Sequence, residues 1–364
     1  MLHCEQRRER LRGLLREAEV DALLVTRPVN VTYLTGFTGD DSYLLLTRDR
    51  QILLSDPRFT IQLADECPGF EFVIRRPGSP IVASVARTVR AARCQRLAIE
   101  AGSMTVELYE KLTGALPAAD LRPVSGLVEQ LREIKDRVEL QEIRQAVAIA
   151  ERAFAVVKAS LRPECTEKSV ADALDHQVRL FGGTGCSFTP IVAVGERAAL
   201  PHAVPGNTRL EESGLLLIDW GARGSGSYLS DLTRLVILGK TPARLEKIYQ
   251  VVLRAQRRAI EAIRPGAIME DIDTAARRVI ADAGYGRRFG HSLGHGFGLE
   301  IHELPRLGVD QKRPLKPGMV VTVEPGIYIP HWGGVRIEDD VLVTRTGCEV
   351  LSSCPREFAD CHVS

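Results

Sequence analysis

Short apolar runs punctuate the first 125 positions of the chain. DALLVT (21–26), YLLLT (43–47), QILLS (51–55), EFVI (71–74), RLAIE (96–100) and DLRPV (120–124) read as strands, with Arg48, Asp49 and Arg50 turning the second into the third as a hairpin. Between them, residues 5–18, 79–92 and 104–115 carry helical spacing, and Asp56–Pro57–Arg58 opens a further helix. This alternation predicts one α/β layer domain over residues 1–125, with no phosphate loop and no metal-like cluster.

The pattern changes at Gly126. Leu127, Leu131, Ile134, Val138, Ile143, Val147, Ala150, Phe154 and Val157 recur at spacings of mainly three and four, which predicts a long helical stretch from Gly126 to Leu161. Pro163 stops it, and Thr166 with Glu167 starts a helix to about Phe181. A glycine-rich loop, GGTGCSF, the strand TPIVAVG and the loop ERAALPHAVPG follow. Two similar strand pairs come next, GLLLIDWGARGSGSYLSDLTRLVIL across a Gly-Ser turn and GMVVTVEPGIYIPHWGGVRIEDDVLVT across a Gly-Gly turn, with helices at 242–263 and 269–283 between them. The layout predicts an α+β second domain over 126–364, built as an internal pseudo-repeat whose halves meet at a site.

Composition narrows the class. At 364 residues the chain is longer than one core usually holds, and 45% apolar with 26% charged residues describes an ordinary globular protein. A net charge of +1 gives no bulk attraction to nucleic acid or to an anionic membrane. The arginines at 7, 8, 10, 12 and 16, interleaved with Glu5, Glu9 and Glu17, read as a solvated helix face. The opening MLHCEQRRER has no apolar core of the kind a secretion signal needs, so a cytoplasmic protein is expected. Eight cysteines without a CxxC pair read as reduced thiols there.

Chemistry concentrates in GHSLGHGFGLEIHE, from Gly290 to Glu303, where His291, His295 and His302 sit among glycines. HxxxH on a helix would hold zinc, but Gly294 and Gly296 flank His295 and each costs a helix about 1 kcal/mol. The glycines instead leave no room for a regular helix or a packed strand and imply a close approach to this backbone. Acidic residues mark both strand pairs. Asp219 and Glu324 each end an apolar run, Asp231 follows the first by 231 − 219 = 12 residues, and Glu338 follows the second by 338 − 324 = 14.

A carboxylate ending LLLID or MVVTVE is costly to bury alone, and a divalent cation offsets it. Four carboxylates and one imidazole carry about four negative charges, which two divalent ions neutralise, and this oxygen-rich set suits Mn²⁺, Co²⁺ or Fe²⁺. The set predicts a two-metal hydrolase in which a bridging hydroxide attacks a metal-polarised carbonyl. Taken singly, Asp219 reads as a turn or cap residue, His302 as a surface neighbour of Glu303 and His331 as a loop residue; five ligand-type residues in order outweigh the first two readings.

PHAVPG, IDWGA, YLSDLTR, GHSLGHGFGLEIHE, MVVTVEPGIY and VRIEDDVLV, in that order, resemble the pita-bread metallopeptidases of the branch holding Xaa-Pro aminopeptidase and prolidase. The likeness spans roughly residues 135–355, and NVTYLTGFTG ahead of it resembles the creatinase-like amino-terminal domain of that branch. The resemblance implies metal ligands at Asp219, Asp231, His295, Glu324 and Glu338, with Asp231 and Glu338 shared by both ions and Glu324 also placed as general base. It further implies that His202, His291 and His302 contact substrate and move protons, and that the protein is a homodimer; Arg336, two residues before Glu338, falls on the same strand face, where it can orient a metal-bound carboxylate or the substrate.

Methionine aminopeptidases commonly lack the large first domain, creatinase lacks the ligand set, and ligand-depleted members serve as non-catalytic peptide binders; the complete set here favours a peptidase. Both Xaa-Pro aminopeptidase and prolidase cleave the bond before proline. No residue displays the wall that would close the pocket behind the proline, and the motif style resembles bacterial Xaa-Pro peptidases, which favours the aminopeptidase with the dipeptidase as alternative.

Overall fold

The computed structural model describes residues 2–239 and 243–363. The chain divides between Arg132 and Glu133 into two compact units. In the first, α1 (Leu2–Glu17), β1 (Ala22–Val25), α2 (Pro28–Thr35), β2 (Tyr43–Thr47), β3 (Gln51–Ser55), α3 (Thr60–Glu66), β4 (Glu71–Ile74), α4 (Ile81–Ala91), β5 (Arg96–Glu100), α5 (Val106–Ala115), β6 (Asp120–Val124) and α6 (Glu129–Arg132) follow one another. The strands form one sheet in the order β4-β3-β2-β1-β5-β6, antiparallel only at β1–β2 and β2–β3.

Two features of this unit differ from the sequence reading. Helix α2 is absent from it, although Pro28 in the first turn and Gly36 in a left-handed cap at φ 80° are ordinary start and stop signals. The basic face of α1 is solvated only at Arg10 and Arg16. Arg7, Arg8 and Arg12 are buried, and their guanidinium groups donate to the carbonyls of Tyr33 (3.0 Å), Leu34 (2.7 Å) and Thr47 (3.0 Å). Their long apolar stems pack while the planar heads satisfy carbonyls that α2 and β2 leave open.

The second unit contains α7 (Arg137–Ser160), α8 (Glu167–Leu180), β7 (Gly185–Cys186), β8 (Ile191–Val194), β9 (Leu215–Trp220), β10 (Ala222–Arg223), β11 (Leu232–Ile237), α9 (Ala243–Ala262) and α10 (Met269–Asp282). It continues through β12 (Gly294–Gly296), β13 (Glu303–Leu307), β14 (Val320–Val323), β15 (Gly326–Ile329), β16 (Gly333–Arg336), β17 (Asp339–Val343) and β18 (Cys348–Val350). The long helix expected from Gly126 is broken: α6 ends at Arg132, and Asp136 starts α7 with a capping box to Glu139. Residue 242, the expected start of the next helix, lies outside the described residues.

Each half pairs two helices with a sheet, β11-β9-β8 in one and β13-β12-β14-β17-β18 in the other. Strand β9 is buried on both faces: Leu216, Ile218 and Trp220 pack with α7 and α8, while Leu215 and Leu217 join the core of α9 and α10. That is why LLLID reads as a continuous apolar run. The second strand pair holds four strands rather than two, because β14 pairs with β17 while β15 and β16 form their own ladder. Its Gly333–Gly334 lies inside β16, and the chain turns instead at Pro330–Trp332, where His331 has φ 59°.

The glycine-rich stretch also departs from expectation, since Gly294–Gly296 is a strand, β12, between β13 and β14. The close approach is made by its neighbours: a side chain at Gly294 would run into the Thr322 carbonyl and one at Gly296 into that of Leu304. Among the described residues no helix is long and apolar enough to cross a membrane.

Trp220 ties the first half together, stacking on Phe154 with ring centres 4.3 Å apart and donating from Nε1 to the Ala150 carbonyl at 2.9 Å. Trp220→Ala should cost about 3–5 kcal/mol, read as a lowered urea midpoint, and a loss under about 1 kcal/mol would contradict this packing.

Candidate metal centre

The acidic residues stand where strands begin or end. Asp219 is near the end of β9, Asp231 directly precedes β11, Glu324 directly follows β14 and Glu338 directly precedes β17. The two sheets touch at this point, through a bridge between Thr233 and Glu338 whose N–H donates to the Thr233 carbonyl at 3.2 Å. Ligand atoms of Asp231, His295 and Glu338 all lie within 4.8 Å of one another. Glu324 Oε1 is 3.4 Å from His295 Nε2, and Asp219 lines the same cavity.

Hydroxyls and a guanidinium orient these groups. Thr233 donates to Glu338 Oε2 at 2.6 Å, Thr322 donates to Glu324 Oε1 at 3.3 Å, and Asp340 Oδ2 accepts the Asp231 N–H at 3.2 Å. Arg336 pairs with Asp219 Oδ2, and its other nitrogens donate to Thr233 Oγ1 (3.0 Å) and Tyr328 Oη (2.8 Å). Tyr328, Thr233, Thr322 and Asp340 were not singled out from the sequence. Thr233, Thr322 and Asp340 each lie two residues from a carboxylate already chosen, so strand periodicity was the signal that could have found them.

Two histidines have fixed tautomers. His295 Nδ1 lies 3.1 Å from the Gly296 carbonyl, which can only accept, so Nδ1 carries the hydrogen. The bare Nε2 then faces Asp231 Oδ2 at 3.6 Å and Glu324 Oε1 at 3.4 Å. A lone pair turned toward two carboxylates is a poor arrangement unless a cation stands among them. The same reasoning gives His291 a hydrogen on Nδ1, 2.8 Å from the Ser292 carbonyl, and an Nε2 that accepts from Tyr328 Oη at 2.9 Å.

Charge burial makes the same point. Desolvation pushes the Glu324 carboxyl up to about 8, and it pushes Asp231 well above the ordinary range with help from Glu338 and Asp219. Glu338 is raised likewise, by burial and then by Glu324, and Asp219 is raised by burial in spite of Arg336. Burial lowers His295 to about 3 and His291 to about 4. Asp219 Oδ1 is buried with no hydrogen-bond partner among the described residues. Four clustered carboxylates, an orphaned oxygen and an inward lone pair fit divalent metal ions.

These groups floor a cavity of about 890 Å³, within the range of small-ligand pockets. His202, His291 and His302 are on its walls with Phe188, Ile191, Val204, Ile301, Leu304 and Arg306. His302 packs against His295 with ring centres 4.4 Å apart. All nine residues expected at the site, Asp219, Asp231, His295, Glu324, Glu338, His202, His291, His302 and Arg336, border this one cavity.

Residues 141–345 match Metallopeptidase family M24, and residues 7–134 match the Creatinase/Prolidase N-terminal domain. An Xaa-Pro dipeptidase of Pyrococcus furiosus is 34% identical over 354 residues, 97% of this chain and 99% of that protein. Among solved structures, the Xaa-Pro dipeptidase from Bacillus anthracis aligns with a TM-score of 0.93 at 39% identity, covering 97% of this chain and 99% of that one. An X-Pro aminopeptidase from Thermotoga maritima aligns with a TM-score of 0.87 at 35% identity, covering 94% and 98%.

The shifted groups set a pH dependence. A carboxyl raised in the folded state contributes stability that is full below its unfolded pKa and lost as pH climbs through the folded value; a histidine lowered by burial contributes fully above its unfolded pKa and loses this as pH falls. Between the ordinary histidine value of 6.5 and the Glu324 value of about 8, the histidines are therefore constant and the carboxyls are losing theirs. Metal-free protein should melt at falling temperature as pH rises across that window, and saturating Mn²⁺ should remove the fall. A melting temperature that is flat or rising without metal would contradict the buried cluster.

Proposed function

We propose, since the chain belongs to Metallopeptidase family M24 and carries a Creatinase/Prolidase N-terminal domain, that this metallopeptidase hydrolyses Xaa-Pro dipeptides. The names of the similar proteins support the dipeptidase better than the aminopeptidase that the motif style favoured. The observation that carries the narrower reading is Arg306. It stands opposite His295 in the β12–β13 ladder, lines the cavity, and is steadied by a 2.7 Å bond from Nε to Ser292 Oγ. Its Nη groups have no ion pair among the described residues and suit the free carboxylate that a dipeptide carries next to the scissile bond.

In this reading Asp219, Asp231, His295, Glu324 and Glu338 would hold two divalent ions, Mn²⁺ or Co²⁺. Such ions polarise the scissile carbonyl and lower the pKa of water. The protein supplies the rest. Glu324 is the general base, and the protonated Nδ1 of His291 stands 3.9 Å from its Oε2. His202 and His302 donate to the substrate carbonyl as charge develops on its oxygen. Arg336 pairs with Asp219 and favours its charged form, and Tyr328 holds the His291 tautomer. Phe188, Val204, Ile301 and Leu304 give the pyrrolidine ring an apolar wall.

The X-Pro aminopeptidase of similar fold supports the second reading, an open pocket that accepts longer chains. Metal-stripped protein refilled with Mn²⁺ should cleave Ala-Pro and leave Ala-Pro-Ala intact; cleavage of the tripeptide before proline would establish the aminopeptidase. Arg306→Met should raise KM for Ala-Pro by about 10- to 100-fold, the loss of one charge-assisted pair, and an unchanged KM would remove Arg306 from substrate binding. Asp231→Asn and Glu338→Gln should abolish turnover and weaken Mn²⁺ binding in calorimetry. His302→Ala should keep the metal and lose rate, and metal-free His302→Ala protein would make it a ligand instead.

A further inference from the structure

Two pairs of a buried acid with a half-buried arginine, one in each half of the second unit, share a common build. On α8, the fully buried Glu167 accepts from Arg197 Nε at 2.8 and 3.0 Å and from the N–H groups of Val194 and Gly206, each at 2.8 Å. Arg197 Nη2 then donates to the Val204 carbonyl at 2.6 Å. On α10, the fully buried Asp273 accepts from Arg277 Nε and Nη2, both at 2.8 Å, and from the Leu293 N–H at 3.0 Å. Arg277 in turn donates to the carbonyls of Phe289 and His291, both at 2.9 Å, and lies 4.2 Å from the centre of the Phe289 ring.

The correspondence is specific. Each acid sits on the second helix of its half, and each arginine reaches a carbonyl in an irregular segment that no sheet ladder holds. Residues 201–206 carry His202 and residues 289–293 carry His291, and both histidines face the cavity. Neither Arg197 nor Arg277 is on the cavity wall, so neither touches what binds there. With the arginines 33% and 29% exposed, these pairs are weak sources of stability. What the arginines add is a fixed path for two loops.

We propose that Arg197 and Arg277 are matched positioning residues, each holding one histidine loop, so that His202 and His291 meet the substrate from the two halves at a set separation. The inference rests on the peptidase reading for its kinetic consequence, though not for its structural one. A small displacement of an aligned catalytic group is costly, so loosening either loop lowers turnover without disturbing the carboxylates that would hold metal.

Arg197→Met and Arg277→Met, with the milder Arg197→Lys and Arg277→Lys, test this in the Mn²⁺-loaded full chain. Hydrogen–deuterium exchange should rise in residues 196–206 for Arg197→Met and in 289–293 for Arg277→Met, each leaving the other loop unchanged. kcat/KM for Ala-Pro should fall about tenfold or more in each, Mn²⁺ affinity from calorimetry should stay within about threefold, and the lysine variants should recover part of the rate. Unchanged exchange in the clamped loop overturns the proposal, as does a rate within about twofold of wild type. Metal affinity falling in step with activity also overturns it, since that marks general loss of fold. Should the methionine variants not fold, the lysine variants give the same two readings. A wild type that cleaves neither Ala-Pro nor Ala-Pro-Ala defeats the peptidase reading, while the exchange data still decide whether the arginines hold the loops.

Discussion

Mutual repulsion among four carboxylates in one buried cavity is the constraint to which the rest of the second unit answers. Asp219, Asp231, Glu324 and Glu338 are each held by strand ends that cannot move apart, because Thr233 and Glu338 bridge the two sheets there. Every neutral or cationic neighbour relieves part of the strain: Thr233 and Thr322 donate to two of the carboxylates, and Arg336 pairs with a third. What stays unrelieved faces inward, toward the bare Nε2 of His295. Two divalent cations are the economical answer to that excess.

The protein distinguishes this face from the one behind it. Burial pushes the Asp339 carboxyl up, but Arg234 and Arg356 outweigh it and hold it below its ordinary value. Its neighbours in sequence, Glu338 and Asp340, are both raised far above theirs. Arg234 also donates to the carbonyls of Thr233 (3.0 Å) and Glu338 (2.5 Å), so an ion-paired network braces the backbone from which the Glu338 carboxylate projects. Adjacent acids thus have opposite roles, decided by which face of the strand each occupies.

The architecture was legible where residue pattern and chemistry coincide. Apolar runs ending in Asp219 and Glu324 marked both strand and site, and the motifs around them pointed to a creatinase-like domain ahead of a pita-bread catalytic domain, which the family matches and neighbouring folds bear out. Pattern failed where a partner distant in sequence decides the outcome. Gly294–Gly296 looked unable to form a strand because nothing local shows Thr322 and Leu304 closing on it. Arg7, Arg8 and Arg12 looked solvated because the carbonyls they satisfy lie 26 to 35 residues away. Tyr328 gave no sign either, since its importance comes from His291 and Arg336 meeting at its hydroxyl.

Anomalous diffraction from crystals grown with Mn²⁺ would examine the balance of charge on which everything here turns. Two manganese peaks are expected in the cavity, both in contact with Asp231 and Glu338, and one of them in contact with His295 Nε2. A cavity without bound manganese, or ions bound only away from these carboxylates, would contradict the account.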